Sequence, residues 1–363
     1  MRIRLTKFAI PVLLFIGLSS SCRLQHLDSK TLDKQLLEAA DIGNAAKVEQ
    51  LLQEGASIHA KDKNGRTALT LAAYAGNGPL VALLLERGPS TEEKNQALFW
   101  AVENQPVIVK SMKVLEPIQE PTVSHKEFTG DYVVNLLLSK GSDVEARNEE
   151  GSTPLIEAAS YGGTNAVKML LDRGANPNAK NNSGFTPLIA AACACAVIDM
   201  PDTLDAMKLL LDKGAEINAK TADGYSALMA AAGAGRTNIV KLLLDRGANI
   251  EDRNGDGETA LMIATSGSAY STIETTRLLL ARGSHIEARD NQGKTPLILA
   301  ASGNGFDRLP TAKLLLERGA NIRAEDKHGE TALSLAKKNT QQDIQRDHDK
   351  LVRLLSIAMS ASK

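Results

Sequence analysis

The sequence predicts an all-α solenoid, a stack of thin helical layers repeated along the chain, and three observations carry that expectation. Aromatic residues make up only 3% of the 363 residues, while Leu-Leu-Leu and Ala-Ala blocks recur throughout. A short Thr-x-Leu motif followed by Ala-rich sequence returns again and again, at spacings that include 33 twice and 36 twice. A Gly that closes each Leu-rich block lies 12 residues before the next Thr or Ser in seven of its eight occurrences. A single core of this length normally fills its volume with large rings. Helices that approach closely can fill theirs with Leu and Ala.

Taken in order, the first segment stands outside the fold. Arg2, Arg4 and Lys7 precede an apolar run from Phe8 to Leu18, then Ser19-Ser20-Ser21-Cys22. Charged, apolar and small residues in that order are the pattern of a secretory signal peptide over residues 1–21. The apolar run has 11 residues, against the roughly 20 that a membrane-crossing helix needs. The small residues ending in Cys22 resemble the lipobox of bacterial lipoproteins, which implies acylation of the Cys22 sulfur after cleavage. Cleavage nearby without lipid and an uncleaved membrane anchor are the other outcomes this start allows. Residues 22–30 then read as a linker. Only Cys193 and Cys195 remain; two positions apart on a helix they point away from one another, so no disulfide is expected and stability must come from packing.

The repeated region follows. The helix-opening motif appears as Thr67-Ala68-Leu69, Thr153-Pro154-Leu155, Thr186-Pro187-Leu188, Ser226-Ala227-Leu228, Thr259-Ala260-Leu261, Thr295-Pro296-Leu297 and Thr331-Ala332-Leu333. The Gly after the Leu-rich block stands at 55, 88, 141, 174, 214, 247, 283 and 319, and only Gly88 breaks the spacing rule. On these residues, most completely over 151–183, the chain resembles the ankyrin-repeat family. That resemblance implies units of a β-hairpin finger followed by two antiparallel helices. They run over 31–63 (an N-terminal cap), 64–90, 91–148, 149–181, 182–221, 222–254, 255–290, 291–326 and 327–363 (a C-terminal cap). Each recurring residue suits its place. Thr serves as N-cap, and Pro fits the first helical position. Leu-Leu-Leu supplies a buried face, and the Gly accepts the left-handed conformation past the helix end. No unit buries its apolar face alone, so stability is a sum over neighbours.

Unit three departs from the pattern. Its finger is four residues short, and an insertion with Pro106, Pro117 and Pro121 is expected over 101–130. Shorter insertions are expected near 197–203, 268–272 and 305–310. Catalytic chemistry is not expected. The histidines are scattered without metal-ligand spacing, and no phosphate-cradling Gly motif follows a strand pattern. No metal or cofactor is expected, Cys193 and Cys195 included. A formal charge of −1 gives no basic field for nucleic acid. Lys61, Arg147, Lys180, Lys220, Arg253 and Arg289 form a basic column that alternates with Glu145, Glu251 and Glu287, which reads as a solvated ladder rather than an anion site.

The family resemblance implies that partner contacts fall at finger tips, before the helix-opening Thr, and after Ala-Ala. Carried over, those positions include Arg66, Tyr74, Ser160, Tyr161, Phe185, Tyr225, Glu258 and Lys294, with Ser152, Cys193 and Lys338 at matching places. The expected function is a non-catalytic, monomeric scaffold of the bacterial cell envelope that holds a protein partner on its concave face. Lipid at Cys22 would be its one membrane attachment, and the alternative is a secreted effector binding a foreign or host protein. Phe185 and Tyr225 are expected to line one groove, with braces between fingers and helices as the competing role.

Overall fold

A computed structural model describes residues 28–103, 130–193, 201–266, 272–303, 307–338 and 345–362. The described residues form eighteen helices in nine successive pairs. The first helices of the pairs are α1 (Ser29–Asp41), α3 (Ala68–Tyr74), α5 (Thr91–Glu103), α7 (Pro154–Ser160), α9 (Pro187–Cys193), α11 (Ala227–Gly233), α13 (Ala260–Thr265), α15 (Pro296–Ser302) and α17 (Ala332–Lys338). Their partners are α2 (Ala45–Gln53), α4 (Gly78–Leu85), α6 (Gly130–Ser139), α8 (Thr164–Asp172), α10 (Pro201–Asp212), α12 (Thr237–Asp245), α14 (Ile273–Ala281), α16 (Arg308–Glu317) and α18 (Gln345–Ala361). None of the described helices is long and apolar enough to cross a membrane.

The repeated Thr or Ser opens its helix as the motif implies. Thr67, Thr153, Thr186, Ser226, Thr259 and Thr295 are buried, and each side-chain oxygen accepts from the backbone N–H three residues on, at 3.3–3.4 Å. Burial makes the cap obligatory, since the orphan N–H has no water to turn to. The second helices from α2 to α16 stop at a left-handed Gly. At Gly174, φ is +88°, and Ala175 N–H reaches back to the Leu170 carbonyl. One apolar core runs from Leu32 to Leu279, and Leu280 leads into a second group from Leu297 to Leu355. The first helices are buried on nearly every side; Leu188, Ile189, Ala190, Ala191 and Ala192 are all inside.

The fingers are tighter than hairpins. No strand forms among the described residues, and the ladder pairing is confined to isolated bridges between Lys220 and Ser226 and between Glu325 and Thr331. Each finger is instead a turn built on an Asx or Thr side chain. In the fifth unit Asn181 Oδ1 accepts from Ser183 N–H at 3.1 Å and from Phe185 N–H at 2.9 Å, while Gly184 N–H closes on the Asn181 carbonyl. Asp62, Asn148, Asn254, Asp290 and Asp326 make the same pair of bonds in their own fingers.

Unit three differs more than a shortened finger would suggest, because it has no finger. α5 begins at Thr91 and gains two turns where the finger would be. Ser90 and Glu93 start it with reciprocal bonds, Ser90 N–H to a Glu93 carboxylate oxygen at 2.7 Å and Glu93 N–H to Ser90 Oγ at 3.2 Å. Ala101 and Val102, expected in the insertion, are fully buried in α5, and Gly130 belongs to α6. Ser29 and Lys30, expected in the linker, open α1 behind an Asp28 cap. The remaining insertion (104–129), the signal segment with Cys22, Cys195, and 197–200, 268–271 and 305–306 of the shorter insertions lie outside the described residues.

Candidate functional site

The fingers lie side by side and are joined by backbone bonds. Asn182 N–H donates to the Glu150 carbonyl, Ala222 to Ser183, Gly255 to Asp223, Asn291 to Asp256 and Lys327 to Gln292, at 2.8–3.0 Å. Every step therefore uses the residue two before the finger Gly as donor and the residue one before the preceding Gly as acceptor. Such close approach leaves no room for side chains at the turn. A Cβ at Gly184, where φ is +80°, would stand 2.8 Å from Ala222 N.

Four members of the basic column complete the same seam, which corrects the reading of a solvated ladder for Arg147, Lys220, Arg253 and Arg289, whereas Lys61 and Lys180 are exposed. Arg147 Nη1 donates to the Gly151 carbonyl at 2.6 Å and to the Lys180 carbonyl at 2.8 Å. Arg253 spans Gly257 and Arg289 at 2.7 and 2.5 Å, and Arg289 spans Gly293 and Glu325 at 2.8 and 2.6 Å. Lys220 Nζ reaches the Arg253 carbonyl at 3.1 Å. The acidic partners are also committed. Glu145, Glu251 and Glu287 each accept from the backbone of the following unit, at Asn176, His285 and Asn321. These four cations and three carboxylates are cross-struts between units.

The candidate contact residues divide into two groups. Tyr74 and Tyr161, at the C-terminal ends of α3 and α7, are 49% and 44% exposed, the largest exposures among the candidate rings. Tyr74 meets Trp100 edge-on, centroids 5.5 Å apart. Phe185 and Tyr225 are half-buried and pack against the apolar core, so bracing the fingers is part of their work. Burial, then the neighbouring Glu258 carboxylate, push the Tyr225 phenol above its ordinary value, which brings those two candidates together across adjacent units. Arg66 is held by Asp62 at 2.8 Å, and Glu258 accepts from Asn254 at 3.0 Å. Lys294 N–H is tied to Asp290, and Ser160 Oγ donates to the Glu157 carbonyl. Ser152 is buried, so its side chain is closed to a partner. Lys338 pairs with Glu330.

Residues not anticipated from the sequence cluster around the missing finger. A pocket of about 630 Å³ opens between α5 and the fourth finger, with Trp100 and Phe99 on one wall and Glu145 to Glu150 on the other. Glu103 lines it as well. Burial, then the like charge of Glu157, raise its carboxyl above the ordinary value. On the other side of α5, Glu93 is buried and meets His59 Nδ1 of the second finger at 2.9 Å. Burial opposes its ionisation, yet bonds from His59 and Ser90 outweigh that and hold its carboxyl below the usual range. Ser90 and Glu93 have capping-box spacing, the one signal from which this arrangement was readable.

Comparison with known proteins gives a consistent picture. A family model described as "Ankyrin repeats (3 copies)" matches residues 36–116, 126–220, 195–290 and 268–357. The chain is 32% identical to the mitochondrial disaggregase of Bos taurus over 141 residues, 34% of this chain and 20% of that protein. It is 46% identical to the mitochondrial disaggregase of Homo sapiens over 56 residues, 15% of this chain and 8% of the relative. It is also 36% identical to the putative ankyrin repeat protein RF_p14 of Rickettsia felis over 53 residues, covering 15% of this chain and 84% of that protein. The chain thus spans no more than a fifth of the two disaggregases it matches.

Proposed function

The chain belongs to the ankyrin-repeat family, and from that premise we propose that it is a non-catalytic scaffold of the cell envelope, holding a protein partner along its finger-and-first-helix face. Protein binding is the general role of such repeats, and the family is generally non-catalytic. The observation that carries the finer reading is the exposed pair Tyr74 and Tyr161, set at matching helix ends, with Tyr74 edge-on to Trp100. Exposed rings on a rigid surface dominate protein interfaces, at about 2 kcal/mol or more each on truncation. Phe185 and Tyr225 contribute by holding the adjoining fingers in place. The likeness to the disaggregases covers no more than a fifth of either relative and adds no activity to this reading.

Site-specific photocrosslinking from position 161 in intact cells would identify the partner. Purified Tyr74→Ala/Tyr161→Ala protein should then bind it at least about tenfold more weakly with an unchanged melting curve. Unaltered affinity would refute the proposed face. Envelope attachment is tested by Cys22→Ala, which should abolish fatty-acid labelling and release the protein from membranes. Retention in the membrane would refute lipid anchoring, and release of the unaltered protein into the medium would favour a secreted effector.

A further inference from the structure

The finger seam has a gap, and the seam's own rules specify what fits it. In four of the five steps beyond the fourth finger, Arg147 to Lys180, Lys220 to Arg253, Arg253 to Arg289 and Arg289 to Glu325, a cation from one finger donates to a backbone carbonyl of the next, and the step from Lys180 to Lys220 is the exception among the described residues. The carbonyl that would receive this bond in the fourth finger is that of Arg147, and the backbone donor that would join the seam is Glu149 N–H. With no third finger, neither has a partner among the described residues. Both residues line the pocket beside α5.

The electrostatics agree with this geometry. Among the described residues, Glu92, Glu103, Asp143, Glu145, Glu149 and Glu150 line the pocket, against one cation, Arg147. That guanidinium is turned away to the Gly151 and Lys180 carbonyls. Glu103 faces Glu157, a like-charge contact that a cation would relieve. Trp100 offers a half-buried ring face, the aromatic best suited to hold an ammonium or guanidinium.

We propose that the fingerless third unit is a docking pocket for a basic segment of the partner protein, whose Lys or Arg takes the place of the absent finger's cation. The incoming side chain donates to the Arg147 carbonyl, lies against Trp100, and is neutralised by Glu103 and Glu149. An acceptor of the same segment meets Glu149 N–H. This deepens the reading of a protein-binding scaffold and rests on it, but the pocket is separate from Tyr161 and can fail independently.

Trp100 is the sole tryptophan of the sequence, so its fluorescence reports the pocket directly. The full chain would be titrated at low ionic strength, ~20 mM, with a capped Ala-Arg-Asn-Lys-Gly-Arg peptide and with the analogue carrying Gln at each basic position. The basic peptide should change the emission saturably, and the neutral analogue should not. Glu103→Gln and Glu149→Gln, both isosteric, should each weaken binding about threefold or more and flatten its salt dependence. Equal responses to the two peptides, no saturable response, or unchanged affinity in both variants would overturn the proposal. So would self-association in sedimentation that Glu103→Gln abolishes, because the pocket would then receive a second copy of the chain. If the peptide fails while the crosslinked partner still binds through Tyr74 and Tyr161, only the pocket assignment falls.

Discussion

Replacing Arg253 with Ala tests whether the basic column is a strut. The guanidinium bridges the Gly257 carbonyl at 2.7 Å and the Arg289 carbonyl at 2.5 Å, so the change deletes two charge-assisted bonds. Bonds from charged donors are worth about 1.5–3 kcal/mol each when shielded. Arg253 and Arg289 are exposed, so the Arg289 carbonyl can turn to water though Gly257 is buried, and solvent screening brings the loss to roughly 1–2 kcal/mol for the joint. The backbone bond from Asn291 to Asp256 remains, so the seam should loosen without opening. At about 1.4 kcal/mol per factor of ten, amide exchange at Glu258 and Lys294 should quicken roughly five- to thirtyfold. Hydrogen exchange read by NMR would follow it, with the α12 amides as internal reference. Arg253→Lys should recover about half the effect, since Lys220 makes one such bond in its own finger. Unchanged finger protection, or an equal loss in α12, would refute the strut.

Two further outcomes follow from burial and charge. Leu243 is fully buried in α12; Leu243→Ala should lower stability by about 2–5 kcal/mol, with exchange protection falling in the fifth to seventh units and retained in α1 and α18. Glu93 is a carboxylate held below its ordinary value of 4.5, so its contribution is complete above that value and is lost as pH falls through the lower folded value. Acid titration should therefore free the first turns of α5 below about pH 4.5, seen as a change in Trp100 emission. Glu93→Gln should remove that pH-linked step, and a step persisting in the variant would show that another group controls it.

The helices and their ends were legible because each depends on residues close in sequence. Thr186, Pro187 and Gly174 announce a cap, a first turn and a stop without reference to the rest of the chain. The seam was not legible, because it is written in carbonyls. Arg147 and Glu145 look like solvated charges until the following unit is brought beside them, and their acceptor and donor at Lys180 and Asn176 are backbone groups with no side-chain signature. Phe185 occupies the position held by Arg66, Glu258 and Lys294 elsewhere, so sequence alone could not tell how far its ring leans onto the core. The missing finger was misjudged for a similar reason. The repeat suggested a shortened finger, whereas the local capping signal of Ser90 and Glu93 prevailed and extended α5.

The interruption at the third unit also has a mechanical meaning. From the fourth unit onward the array carries load along two lines, its packed helices and its seam of fingers. At the third unit the backbone seam stops, and side chains of α5 carry the finger edge instead, Glu93 to His59 on one side and Asn95 to Asp143 N–H on the other. Bending that stretches the finger edge meets least resistance there, and a steady pull along the array concentrates strain at the same joint. The third unit therefore acts as a compliant elbow between the units before it and those after it. An occupant that bridges the gap would stiffen the elbow as it binds.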